Sequence, residues 1–250
     1  MNLKYTLSGF IYISPEDDCR EVVDAMLETD YNEEFCIAES FDPEFISRLM
    51  EAGFLVMSIN LSEEYPYYIV LPKLHLTRSV LFFDKLHEKR SIKRFLNNNL
   101  RNYQLKADSD FDLIIGKCVE KHGADWLTPP LVDCIKKIRG ESDGHNDSHL
   151  FHKFSTSADK KNHVYPTSFA LYREGKFAAG EFGVICGNVY TSYSGFYEED
   201  NAGTIQIILL TRYLQENGFA FFDMGMPLDY KSDLGAVNIS PNEFVRLFRG

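Results

Sequence analysis

A chain of 250 residues, 44% apolar and 25% charged, has material for one large domain or two smaller ones, and this balance excludes a disordered or fibrous protein. No run nears the ~18 consecutive apolar residues of a membrane span, and the broken apolar stretch at the N-terminus, with no small-residue cleavage site after it, does not read as a secretory leader. The net charge of −11 argues against indiscriminate nucleic-acid binding. Cys19, Cys36, Cys118, Cys134 and Cys186 are scattered, odd in number and free of any CxxC pair, so they are expected to be reduced, buried thiols of a cytoplasmic protein.

In chain order, "SPEDDCREVVDAMLETD" predicts a helix beginning near Ser14, with acids in its first turn. "FDPEFISRLMEAGF" predicts a second, capped by Asp42, with Pro43 at its first position and Gly53 ending it. "FLVMSINL" and "PYYIVLPKLHLTRSVLFF" read as extended. Residues 1–75 are therefore expected as a small N-terminal α/β domain and 76–250 as the main domain. "DKLHEKRSIKRFLNNNL" predicts a basic helix in which Lys85, Lys89 and Lys93 fall four apart, with Arg90 and Arg94 beside them. Residues 73–106 hold nine Lys or Arg against two acids, a segment that is either a local polyanion site or a solvated face.

"YQLKAD" predicts a short strand, "SDFDLIIGKCVEKHG" an amphipathic helix and "WLTPPLVDCIKKIRG" another, after Trp126. Residues 140–165 read as a polar loop. Its His145, His149 and His152 could share one helix face as a metal site would need, yet their neighbours are poor helix formers and no second motif completes a site. From Thr167 the pattern is an antiparallel meander with turns at Arg173–Lys176 and Gly187–Asn188. A largely buried helix over "NAGTIQIILLTRYLQENGF" follows, then the strand "FAFFDMGM", a turn at "YKSDLGA", and a last helix capped by Ser240 and Pro241.

The expected class is α+β, with a mixed, mostly antiparallel sheet. Meander, buried helix, strand and further helix occur in the order of the acetyltransferase-like (GNAT) fold, whose central strands splay to admit an acyl donor. Asp223 sits near the end of a strand that is otherwise almost entirely apolar. An unpaired carboxylate there is costly, so it either caps the strand end or handles protons. There is no strand–GxSxG–helix, His87 and His122 sit among charged residues, and Cys118 and Cys186 occupy core positions, so hydrolase chemistry is disfavoured.

The stretches "DWLTPPLV", "REGKFAAGEFGV" with "GN" after it, "NA" at 201–202, "GFAFFDMGM" and "LGA" followed by "IS" and "EF" are collinear with the leucyl/phenylalanyl-tRNA–protein transferase family, which the chain resembles most strongly from Trp126 onward. The resemblance implies an aminoacyl-tRNA donor and a protein or peptide N-terminus as acceptor. It implies no cofactor, no metal and no membrane. It places Asp223 to assist the attacking amine, and it implies a pocket of Trp126, Glu181, Tyr190, Tyr193, Ile207, Leu210 and Phe222. It also implies tRNA contacts from Lys89, Arg90, Lys93 and Arg94.

The chain departs from the family where Tyr193 stands for a Glu, Gly225 for a Gln and Glu181 for an apolar residue. A Glu in a pocket would suit an amine or a basic side chain. Two other readings stay open: a GNAT-type acyl-CoA N-acyltransferase, for which the acids of "YEEDNAGTIQ" make a poor pyrophosphate cradle, and a non-catalytic relative that binds tRNA or protein.

Overall fold

The computed structural model describes residues 2–29, 31–142 and 164–250; His145, His149 and His152 lie outside the described residues. Its strands are β1 Lys4–Tyr5, β2 Ile11–Tyr12, β3 Leu55–Asn60, β4 Tyr68–Lys73, β5 Arg78–Leu81, β6 Tyr103–Ala107, β7 Val164–Arg173, β8 Lys176–Cys186, β9 Val189–Tyr197, β10 Phe221–Asp223 and β11 Val237–Ile239. The α-helices are α1 Cys19–Leu27, α2 Pro43–Ala52, α3 Arg90–Asn99, α4 Phe111–His122, α5 Pro129–Ser142, α6 Ala202–Glu216, α7 Asp229–Asp233 and α8 Pro241–Arg249.

Two compact units form: Met1–Arg78 with Gly123–Gly144 and Ile239–Gly250, and Ser79–His122 with His145–Asn238. In the first, α2 is bounded as its sequence dictates. Asp42 accepts the Phe45 N–H at 2.9 Å, and Gly53 leaves the helix at φ 107°. The first helix starts later than its sequence suggests, at Cys19, capped by Asp18. The Asp17 carboxylate turns back onto the Ser14 N–H and hydroxyl at 2.8 Å, and this local turn displaces the first helical turn. β3 and β4 pair antiparallel, and a hydroxyl bond of 2.7 Å joins Ser58 of β3 to Thr128 before α5.

The second unit carries a seven-stranded mixed, mostly antiparallel sheet in the order β11-β5-β10-β9-β8-β7-β6. The meander β7-β8-β9 is antiparallel throughout, whereas β10 runs parallel to β9 after the α6 crossover. α6 covers one face, where Tyr165, Phe169, Tyr190, Leu210, Leu214 and Phe222 are fully buried together. Each such side chain contributes about 1.5–3 kcal/mol on leaving water. α4 covers the other face, where Phe111 meets Phe182 edge-on with ring centroids 6.4 Å apart. Gly180 is needed under that helix, because a Cβ there would lie 2.8 Å from Ile114.

Two expectations are corrected here. The basic helix begins at Arg90, not near Asp84. The His87 N–H donates to the Leu234 carbonyl at 2.9 Å, which holds residues 86–89 out of helix, and Lys85 sits in a 3-10 turn. Lys85 therefore does not share a helical face with Lys89 and Lys93. The segment "YKSDLGA" is also more than a turn: α7 occupies Asp229–Asp233, and β11 follows it onto the sheet edge beside β5.

Candidate active site

β10 is three residues long and lies between β9 and β5, with Asp223 opposite both Thr191 and Val80. The Asp223 side chain is fully buried. One of its oxygens accepts the Thr191 hydroxyl at 2.8 Å and the other the Gly225 N–H at 3.0 Å. The strand ladder stops there, while β9 runs on to Tyr197. Just past Thr191, β9 carries a bulge: Gly183 pairs with Ser192 and Phe182 with Ser194, leaving Tyr193 as the extra residue.

Strand alternation divides the sequence-selected residues between the two faces of the sheet. Asp223 shares its face with its partner Thr191 and with Val184, on the α4 side. Tyr193 is half-buried with its ring 6.0 Å from Phe182, also on that side. Phe222 and Tyr190 point the other way, ring centroids 5.4 Å apart, into the core beneath α6 with Leu210; Ile207 packs against its edge. Glu181 lies on this second face, beside Phe169 in the register and beneath the Tyr190 hydroxyl, which donates to it at 3.1 Å. Trp126 belongs to the first unit, half-buried, its carbonyl accepting the Ser58 N–H at 3.0 Å.

Glu181 is 5% exposed, and burial pushes its carboxyl up to about 7. Hydrogen bonds from Ser192 and Tyr190, and the charge of Lys231, work against that rise. Burial and the neighbouring carboxylate push the Tyr190 phenol well above its ordinary value, so it remains a donor. Burial raises the Cys118 thiol to about 12, which removes it as a nucleophile.

Lys89, Arg90, Lys93 and Arg94 are all exposed. Arg90, Lys93 and Arg94 share one face of α3, whereas Lys89 caps the helix and pairs with Asp233 at 2.6 Å. Among the described residues no group of three His, Cys, Asp or Glu could hold a metal, and no helix is long and apolar enough to cross a membrane.

Sequence reasoning missed Thr191 and Lys231. Thr191 is a strand residue between Tyr190 and Ser192 with nothing local to mark it. Lys231 is 6% exposed and donates to the carbonyls of Met224 and Met226; its only sequence signal is its place eight residues after Asp223, in a run that otherwise looks like a solvated turn.

Comparison with known proteins follows the same span. The leucyl/phenylalanyl-tRNA–protein transferase of Maridesulfovibrio salexigens is 29% identical over 174 residues, 67% of this chain and 62% of that protein. The Pseudomonas fluorescens protein of the same name is 28% identical over 170 residues, 67% of this chain and 65% of its own length. The match thus spans just under two thirds of these relatives. Among solved structures, that of FemX is similar with a TM-score of 0.41 and 13% identity over 95% of this chain and 81% of that one, a level from which no shared fold follows. The sequence profile of Leucyl/phenylalanyl-tRNA protein transferase matches residues 80–249, well over half of the chain, and the protein belongs to that family.

Proposed function

We propose that this protein moves an amino acid from charged tRNA to an amine such as a protein N-terminus, with Asp223 as the residue that handles the attacking nitrogen. The observation that carries this is a fully buried carboxylate at the last rung between β9 and β10, held in place by the Thr191 hydroxyl and the Gly225 N–H. An α-amine has a pKa near 8. Asp223 orients it and accepts a proton from the nitrogen as the new N–C bond forms, and that proton passes to the ribose oxygen as the ester C–O bond to the tRNA breaks. The exposed face of Arg90, Lys93 and Arg94 suits phosphate, which needs only charge and reach.

A GNAT-like reading of the second unit is supported by the bulged β9, the α6 crossover and the parallel β10. Five buried free cysteines fit a cytoplasmic setting. An acyl-CoA donor fits less well, because Glu198 and Glu199 stand just before the N-terminus of α6 where a pyrophosphate would have to lie, already paired with Lys117 and Arg173.

The test is incubation with a pool of radiolabelled aminoacyl-tRNAs and candidate peptides. Label should leave its tRNA for a peptide amine, and Asp223→Asn should abolish transfer at an unchanged melting temperature. No transfer from any charged tRNA, or an Asn variant at the wild-type rate, overturns the assignment; the latter result would favour a binding protein.

A further inference from the structure

We propose that Lys231 is a positioning residue: its ammonium fixes the backbone turn that carries Asp223. Lysine is seldom fully buried, because its charge must find partners away from water. Here Nζ sits among backbone carbonyls, donating to Met224 and, at 2.8 Å, to Met226. Those two residues flank Gly225, whose N–H holds Asp223 at 3.0 Å. The same turn is tied from its other edge, with the Gly225 carbonyl accepting the Ser79 N–H at 2.7 Å and the Met224 N–H reaching the Ser79 carbonyl at 2.9 Å. Removing the lysine would leave the buried Met224 carbonyl and the partly buried Met226 carbonyl without this donor, on the side that β5 does not reach.

Lys231 is itself anchored. Its N–H donates to Leu228 at 3.0 Å and its carbonyl accepts from Ala236 at 3.0 Å, so the short α7 presents the side chain from a fixed base. Its charge also acts on Glu181, on the face of the sheet opposite Asp223. One ammonium therefore links the turn below the candidate catalytic carboxylate to the only buried Glu of the described core. Glu181 takes hydrogen bonds from Tyr190 and Ser192 of β9 and feels the charge of Lys231 from α7, while its own carboxyl acts electrostatically on Cys118 of α4 and Tyr230 of α7.

The catalytic part of this inference rests on the aminoacyl-transfer reading, so the experiment has an arm that does not. In the full chain, Lys231→Met should speed amide hydrogen exchange across residues 221–230 by at least roughly ten- to a hundredfold, the shift expected from losing even one of its two charge-assisted hydrogen bonds, while α6 and β8 keep their protection. Unchanged exchange in that turn overturns the proposal, whether or not the protein transfers amino acids. With transfer established for the wild type, the same variant should lose roughly a hundredfold in kcat, the scale of a catalytic group displaced by about 1 Å, with KM for aminoacyl-tRNA within about twofold. Lys231→Arg should recover part of that loss. An unaltered kcat, or a change in KM alone, overturns it. If Lys231→Met does not fold, the double variant Lys231→Met with Glu181→Gln, which removes both buried charges together, takes its place in both arms.

Discussion

The substitution Glu181→Gln offers a quantitative check on the buried site that needs no knowledge of the substrate. The wild-type carboxyl is held at about 7 in the folded protein against an ordinary 4.5. Between those values the folded state binds more protons than the unfolded one, so stability falls as pH rises through the window and levels off above it. At about 1.4 kcal/mol per pKa unit, the full loss is about 3 kcal/mol, and about 2 kcal/mol of it falls between pH 5.5 and 8.5. That figure already contains the attraction of Lys231, which is among the causes that hold the carboxyl down. Glutamine keeps the shape, can still accept the Tyr190 hydroxyl and carries no titrating proton. The variant should therefore gain about 2 kcal/mol on the wild type between pH 5.5 and 8.5 in urea denaturation. Any constant offset from the amide drops out of this comparison. A variant-minus-wild-type difference that is the same at both pH values would refute the assignment of Glu181 as a buried, mostly desolvated acid.

Arg90→Ala with Arg94→Ala should weaken tRNA binding across tRNA sequences and lower the slope of log K against log salt by about 2, measured by filter binding at several salt concentrations. A variant with unchanged slope removes α3 from the tRNA surface. Gly183→Ala should lower stability by about 3 kcal/mol or more by calorimetry, since the new Cβ would lie 2.1 Å from the Thr191 carbonyl and 2.7 Å from the Tyr190 hydroxyl. A small effect would mean that β9 can shift to admit a methyl group.

Much of this architecture is legible in the sequence where the signal is local. The meander reads directly from apolar runs broken at Glu174–Gly175 and Gly187–Asn188. The ends of α2 read from Asp42, Pro43 and Gly53, and α6 from its apolar spacing closed by Gly218. The failures have non-local causes. The start of α3 is set by a hydrogen bond from His87 to Leu234, a residue far along the chain, and no pattern within the basic run discloses it. The strands β1, β2 and β11 are two or three residues long, too short for an alternation to show.

At the candidate site, Asp223 stands out because a charge ends an apolar strand. Its hydroxyl partner Thr191 is set by the parallel register of β9 and β10, which only the crossover fixes. The seven selected pocket residues share a reputation for lining a site, yet alternation sends Tyr190 and Phe222 to one face and Tyr193 to the other. Lys231 illustrates the limit most plainly. Flanked by Tyr230 and Ser232 in a polar run, it reads as solvated, and the carbonyls of Met224 and Met226 that fold back toward it help make a buried lysine tolerable.

The place of β5 in the sheet bears on how the protein is born. This strand, made early, is wedged between β10 and β11, which emerge from the ribosome about 140 residues later; pairing over such a separation slows folding. Until then the edge that will receive Asp223 and hold Gly225 has no neighbours, and Val80 and Leu81 must wait unprotected. The candidate carboxylate is thus seated among the last events of maturation, and a nascent chain stalled before β10 holds the meander without Asp223 or its turn.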